Sequence, residues 1–296
     1  MGRKFRYDLG KPDERNVTPL TLNLRVALEP LDTGGEKNIA IVKARGMEIK
    51  CVHFPPAEFD IFKARFRRDI PFLWSGKIFI LPPEPGYDFS LPAEDYKRYV
   101  YPGVTRFNPV LECRLAIELD AADPHYRITV LKRAPGQPRF PSFTFPEPKP
   151  GRPDGVLDSE DLDMRLLRHT VKDKGKVFDK DFDRYTAAHE VGHLLGLPHV
   201  NKSHPVCKLD DNDEICYGES ITQSEDMMGA GDEIRAWHGR PWLFTIKKVS
   251  KHPKGWRLTT DPAAAGGAPP RTLVDHLGDA VRDGARELWQ EITAAF

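Results

Sequence analysis

Alternating apolar and polar residues form the clearest pattern in the first half of the chain. Between residues 17 and 31 every second position from Leu20 to Leu28 is apolar, a period typical of a strand with one buried face. The same pattern over shorter runs predicts further strands, two within 38–54 and one each at 77–81, 111–119 and 126–132. Because a turn of six residues separates the last two runs, we predict that they form a hairpin.

Three segments have the period of helices instead. Residues 56–75 are the first, and residues 181–196 are the second, with Asp181 or Asp183 available to cap its start. Residues 271–295 are the third and have a continuous apolar stripe. Strands interspersed with few helices predict an α+β fold.

Four other segments lack both periods. Residues 135–153 contain seven prolines, so they cannot form a helix or a central strand and are either a surface loop or a domain boundary. Residues 84–109 and 202–235 have the composition of irregular loops, and 261–270 that of a small-residue linker. Residues 237–248 fit a short helix or a strand.

Composition excludes some classes of protein. The 296 residues carry 44 Lys and Arg against 44 Asp and Glu, which weighs against a nucleic-acid binder because such proteins carry a basic excess. No apolar run is long enough to cross a membrane, and the N-terminus lacks the apolar stretch of a signal peptide. We therefore expect a protein that is cytoplasmic at synthesis and not bound to membranes, and signal-independent export stays open.

The segment His189–His199 carries the clearest chemistry in the sequence. His189 and His193 are four residues apart, so one helix face presents both imidazoles, which suit Zn²⁺. Glu190 is placed to contact metal-bound water rather than the metal. Gly196 can end the helix in a left-handed turn that returns His199 to the same ion. Three histidines leave a fourth position for water, which is typical of a catalytic site.

This segment, HEVGHLLGLPH, resembles the HExxHxxGxxH signature of the metzincin clan of zinc endopeptidases. The clan also has a turn with a methionine beneath the metal. Residues 224–229 (SEDMMG) match that turn, with Met228 the better match and Met227 the alternative. Such a methionine is an apolar floor under the three imidazoles and not a ligand.

The resemblance implies a metzincin-like catalytic domain over residues 17–258. Its upper subdomain would contain a twisted mixed sheet and the two long helices, and a smaller irregular lower subdomain would follow Gly196. Residues 135–153 then form a loop inside this domain. Residues 1–16 would be an N-terminal extension, and 259–296 a linker with an amphipathic helix.

The activity implied is hydrolysis of peptide bonds by attack of a zinc-bound water assisted by Glu190. The substrate would be a protein or peptide bound in extended form along an edge strand of the upper sheet. Two alternatives are a zinc amidase or other hydrolase and a non-catalytic zinc-binding module, although a structural zinc site has no use for Glu190. The absent signal peptide and the appended helix motivate the hypothesis of a secreted effector.

Several residues depart from the clan or allow two interpretations. Some members have a tyrosine ligand two residues after the methionine, where this chain has Ala230. Cys51 and Cys113 lie in predicted strands and are expected to be buried thiols. Cys207 and Cys216 can close a disulfide in an oxidising compartment or stay reduced.

Three weaker signals complete the sequence-based expectations. Residues 210–214 (DDNDE) have the residue types of a calcium loop but fail its motif, so Ca²⁺ is not supported. His238 is either part of a substrate-pocket wall or a surface residue. The helix at 271–295 is expected to dock on its own domain or on a partner.

Overall fold

The computed structural model describes residues 5–10, 13, 17–44, 46–83, 110–147, 151–210, 213–249, 255–261 and 263. The strands are β1 (Arg6–Leu9), β2 (Val17–Pro30), β3 (Ile39–Ala44), β4 (Met47–Val52), β5 (Phe79–Leu81), β6 (Val110–Leu119), β7 (Tyr126–Arg133), β8 (Phe143–Thr144), β9 (Gly155–Asp158), β10 (Arg165–Asp173), β11 (Lys176–Arg184) and β12 (Arg257–Thr259). The helices are α1 (Pro56–Trp74), α2 (Thr186–Leu194), α3 (Pro205–Leu209), α4 (Ile221–Glu225) and α5 (Arg240–Val249), with 3₁₀ turns at Glu214–Tyr217 and Ala236–Gly239. The chain therefore has the mixed α+β composition predicted.

The described residues belong to two compact units. The first contains residues from 24–74 and 117–234, and the second residues from 4–23, 75–116 and 235–296. Strands β2 and β6 each contribute residues to both units.

The first unit has a twisted mixed sheet with β7 at its centre. β7 pairs in parallel with β2 and with β9, and antiparallel with β4. The predicted hairpin between the runs 111–119 and 126–132 is therefore wrong, because β7 pairs with these other strands instead of β6. Ile128 and Val130 of β7 are almost completely buried, as is typical of strands in parallel pairing. This burial favours the parallel pairs over a hairpin with β6, although the connection between the two runs is short.

The other strand predictions for this unit are confirmed. β2 has the alternating burial expected from its sequence, and the segment 38–54 is a hairpin of β3 and β4. The Pro-rich stretch 135–153 contains β8, which pairs antiparallel with β9 at Phe143–Val156. Among the described strands β9 is the partner of β8, so β8 is an edge strand of this sheet.

Helix α1 confirms the helix predicted at 56–75. Its buried residues recur every three or four positions, as expected for one helix face, and they are Phe59, Phe62, Phe66, Ile70 and Trp74. The Trp74 indole Nε1 donates a hydrogen bond of 3.1 Å to the Ala188 carbonyl, which fixes α1 against α2.

The second predicted helix, 181–196, starts later than expected. Residues 176–184 form β11, which pairs antiparallel with β10, and α2 starts only at Thr186. Neither Asp181 nor Asp183 caps it. The Ala187 N–H donates instead to the Asp161 carbonyl at 3.0 Å, so backbone from another segment satisfies this donor.

The described residues of the second unit include antiparallel strands and the helix α5, which has about three turns. β5 pairs with β6 and with β12, and β1 pairs with the first half of β2. Residues 237–248 were predicted to form either a short helix or a strand, and α5 shows that most of them form a helix. The Trp242 indole donates to the Arg114 carbonyl at 2.9 Å, which holds α5 on β6.

The segment 202–235, predicted to be irregular, contains short helices. His204, Asp213 and Ser220 each cap one of them by accepting a backbone N–H with the side chain. Such caps are local signals that an acidic, Gly-containing composition obscures.

Two predicted segments, 84–109 and 271–295, lie outside the described residues, as does most of the linker 261–270. Within the part of the chain that is described, no helix is both long enough and apolar enough to span a membrane.

Candidate metal centre

Helix α2 presents His189 and His193 on one face and then reverses. Gly196 has φ of +84°, a conformation that is strained for residues with a Cβ. The N–H groups of Gly196 and Leu197 donate to the carbonyls of His193 and Gly192, at 2.9 and 3.0 Å. This hydrogen-bond pair is a Schellman motif, and it turns the chain so that His199 returns to the helix.

The three imidazoles converge through their Nε2 atoms. His199 Nε2 lies 3.3 Å from His189 Nε2 and 3.1 Å from His193 Nε2. The Nδ1 atoms of His189 and His193 lie 2.7 and 2.8 Å from the carbonyls of Met227 and Leu197. Since a carbonyl only accepts, each of these Nδ1 atoms carries the proton, and each Nε2 presents a lone pair to the others.

This arrangement fits a metal ion. Tetrahedral zinc with Zn–N bonds of 2.0–2.1 Å separates its ligand nitrogens by about 3.3 Å, close to the spacings between these rings. The ligand atoms of His189, His193 and His199 all lie within 4.8 Å of one another, and among the described residues they form the one such group of three or more His, Cys, Asp or Glu. The group can hold a metal ion and is compatible with zinc.

Electrostatics keep His189 in the form that binds metals. Burial holds the pKa of His189 well below its usual range, and the Arg184 guanidinium and the other two imidazoles lower it further. A neutral imidazole is the form that ligates.

The two methionines of the predicted turn contribute in different ways. Met228 is fully buried, and its Sδ packs on α2 so closely that a Cβ at Gly192 would clash with it. Met227 contributes its carbonyl, which orients His189. The Met228 carbonyl accepts the Val200 N–H at 3.2 Å, which ties this turn to the segment after His199.

Glu190 lines a cleft together with His193 and His199. Thr144 Oγ1 donates to the Glu190 carbonyl at 2.7 Å and lies 3.2 Å from Glu190 Oε2. Residues 142–146, which include β8, line the cleft together with Glu190, His193 and His199, and its volume is about 430 Å³. We call this cavity the histidine cleft.

Tyr217 is part of this cleft, although no sequence pattern indicated it. Its ring centroid lies 4.4 Å from that of His199 and 5.7 Å from that of His189. The Arg184 guanidinium lies 5.0 Å from the same ring, on which it makes a cation–π contact. Ala230 packs in a small core with Val171 and Phe182. In the sequence Tyr217 directly follows Cys216, and this neighbour is the one feature that could have drawn attention to it.

The cysteines adopt both expected states. Cys207 and Cys216 form a disulfide, which closes the loop immediately before Tyr217. Cys51 and Cys113 are free and buried, as predicted, and burial raises the pKa of both thiols.

Two weaker sequence signals remain, His238 and the acidic run 210–214. His238 is completely buried in the second unit, so the surface interpretation is wrong, and its Nδ1 accepts the Arg235 N–H at 3.0 Å. Of the acidic run 210–214, residues 211 and 212 lie outside the described part of the chain.

Comparison of this chain with known protein families, curated proteins and solved structures finds no match. The metzincin resemblance therefore depends on the residues of the two motifs.

Proposed function

We propose that this chain is a zinc-dependent endopeptidase of the metzincin type. The observation that carries the proposal is the convergence of three imidazole nitrogens beside a nearly buried glutamate, Glu190, in a cleft bordered by an edge strand. Zinc, when bound there, would polarise the scissile carbonyl and lower the pKa of water to about 7.

Glu190 has the chemistry and the position of a general base. It is the residue next to the ligand His189, and its carboxylate faces the cleft that His193 and His199 also line. Thr144 holds the backbone of Glu190 by its hydroxyl hydrogen bond to the carbonyl, and the same hydroxyl oxygen lies 3.2 Å from Oε2. Glu190 would take a proton from the attacking water and deliver it to the leaving amine.

Strand β8 has the properties needed to bind a peptide backbone. It lies at an edge of the first unit's sheet, and its residues Phe143 and Thr144 line the histidine cleft. An edge strand has backbone N–H and C=O groups available for an added strand. An extended substrate paired with β8 would place its backbone beside Glu190 and the histidines.

Cleavage of a peptide library by the zinc-loaded protein, read by mass spectrometry, tests this proposal. Wild type is expected to cleave peptide bonds, and Glu190→Gln to lose about 10²–10⁴-fold in kcat/KM while it retains the same zinc content. Glu48→Gln, at an exposed glutamate paired with Lys43, is the matched control and should keep full activity.

Two results would contradict the proposal. Hydrolysis of amides other than peptides, with peptides left intact, would favour the amidase alternative. Equal background activity in wild type and Glu190→Gln, with zinc bound to both, would favour a non-catalytic zinc-binding module.

A further inference from the structure

A second cavity adjoins the histidine cleft, and four arginines are among the residues that line it. Its volume is about 410 Å³, and it shares Ser142, Glu190 and Tyr217 with the cleft. The four arginines are Arg139, Arg165, Arg168 and Arg184. We call this cavity the basic pocket.

Buried polar atoms around the basic pocket lack hydrogen-bond partners among the described residues. They are Arg139 Nη1, Arg165 Nε, Arg184 Nε and Thr186 Oγ1. Arg184 and Thr186 are each only 4% exposed. Buried donors are ordinarily satisfied by a hydrogen-bond partner. These atoms are themselves closed off from the cavity, and they show that the protein supplies few hydrogen-bond acceptors around it.

The charges in the basic pocket favour an anionic ligand. Arg184 donates to the Gly229 carbonyl at 3.1 Å and stacks on Tyr217, and neither contact neutralises its charge. Burial, followed by the charge of Arg184, lowers the pKa of Arg165. Asp161 raises the pKa of Arg165, but its effect is smaller than that of Arg184. Arg139 and Arg168 are already paired with Glu160 and Asp179, at 3.6 and 3.2 Å, so the cations available to an anion are Arg165 and Arg184, which repel each other. Glu190 and Glu214 also line the pocket.

We infer that the basic pocket binds a carboxylate of the substrate next to the scissile bond. The inference rests on the proposed peptidase function, since the occupant is taken to be part of a peptide lying in the histidine cleft. Guanidinium groups bind carboxylates through paired N–H donors. The carboxylate belongs either to an Asp or Glu side chain or to a free C-terminus, and both present the same planar group to the arginines.

Matched peptides that differ in one carboxylate test the inference on the zinc-loaded protein. One arm compares Glu with Gln at each position within two residues of a cleaved bond, and a second compares a free C-terminus with its amide. We expect the acidic member of one pair to have a roughly 10- to 100-fold higher kcat/KM. The arm that shows the difference identifies the source of the carboxylate. Equal rates in every pair would overturn the inference while leaving the peptidase proposal intact.

Variants locate the preference in the basic pocket. Arg165→Gln and Arg139→Gln should each lower the acidic preference at least several-fold with unchanged zinc content, and either one suffices if the other fails to fold. Arg127→Gln is the matched control, because Arg127 is exposed and pairs with Glu29. An acidic preference that survives in both pocket variants would overturn the inference.

A binding measurement decides the matter if no peptide is cleaved. Calorimetry with N-acetyl-glutamate amide and N-acetyl-glutamine amide compares two probes that differ only in the side-chain carboxylate. Tighter binding of the acid by at least tenfold, lost in Arg165→Gln, would support the basic pocket although the peptidase proposal had failed. Equal binding of both probes would overturn the inference.

Discussion

The histidine cleft and the basic pocket differ in how the protein satisfies their polar groups. In the cleft, His189 and His193 each donate Nδ1–H to a backbone carbonyl, so their Nε2 atoms are held in place. In the pocket, buried nitrogens of three arginines have no hydrogen-bond partner among the described residues. The protein thus orients the imidazoles by itself, whereas it leaves these arginine nitrogens without an acceptor among the described residues.

The two sites also differ in which parts of the sequence supply their residues. The cleft's metal-binding residues lie within eleven consecutive positions, 189–199, whereas the pocket's arginines come from the segment before β8 and from two strands, β10 and β11. Tyr217 belongs to both cavities.

The largest effect is expected from removal of a histidine ligand. His199→Ala should weaken zinc binding by more than about 100-fold, since loss of even an outer-shell partner costs 10–100-fold. Competition with a zinc chelator measures the affinity. His53→Ala, outside the cluster, should bind zinc as wild type does, and equal affinity of all three proteins would rule out the histidine site.

Removal of the disulfide should destabilise the segment that carries Tyr217. The double variant Cys207→Ser, Cys216→Ser is expected to lose roughly 2–3 kcal/mol of unfolding free energy, because the loop is no longer closed in the unfolded chain. Urea unfolding measures this difference. A reductant should bring wild type to the level of the variant and leave the variant unchanged, whereas a variant as stable as oxidised wild type would contradict the expectation.

Acid should change the contribution of the cleft to the free energy of unfolding. It should not change that of the arginines, which stay protonated at every accessible pH. Burial lowers the pKa of His189, so the unfolded chain binds more protons than the folded one below its unfolded pKa of about 6.5. This contribution to stability is therefore complete above that pH. It should decline by up to about 1.4 kcal/mol per pH unit as the pH falls.

The zinc-free protein and its His189→Asn variant provide the measurement. Asp161, with its pKa raised to about 7, acts in the opposite direction, because its folded form binds protons more readily than the unfolded chain. The difference in unfolding free energy between the two proteins removes this contribution. A difference that is constant between pH 5 and 8 would contradict the role assigned to His189.

A smaller effect of opposite sign is expected in the basic pocket. Arg165→Met should raise the unfolding free energy of the ligand-free protein by about 1 kcal/mol, because it removes a buried donor without a partner and relieves repulsion from Arg184. Arg127→Met at the exposed control position should change it by less than about 0.5 kcal/mol. Destabilisation by Arg165→Met alone would show that the arginine is structural.

The residues and elements that could be predicted from the sequence are those that a local pattern places. His189, Glu190, His193 and Gly196 form a local pattern, because the helix period and a left-handed turn suffice to place them. The strands β2, β3, β4 and helix α1 were predictable for the same reason, since each has a complete period of its own. None of these predictions required knowledge of distant contacts.

The other features depend on contacts between distant segments. β7 pairs with β2 and β9 rather than with its neighbour in sequence, which reversed the hairpin prediction. At the start of α2, the Asp161 backbone carbonyl rather than a capping side chain accepts the Ala187 N–H. The arginines of the basic pocket are unremarkable in sequence, and Thr144 lies in a Pro-rich run, so only the folded chain brings them to the cleft.

The most direct test of the central claim is a titration of peptide cleavage against added zinc, starting from protein stripped with a chelator. The account predicts that activity is absent at the start, rises linearly and stops at one zinc per chain, while Glu190→Gln binds the same equivalent without gaining activity. Cleavage that persists in the stripped protein, or that does not respond to zinc, would contradict it.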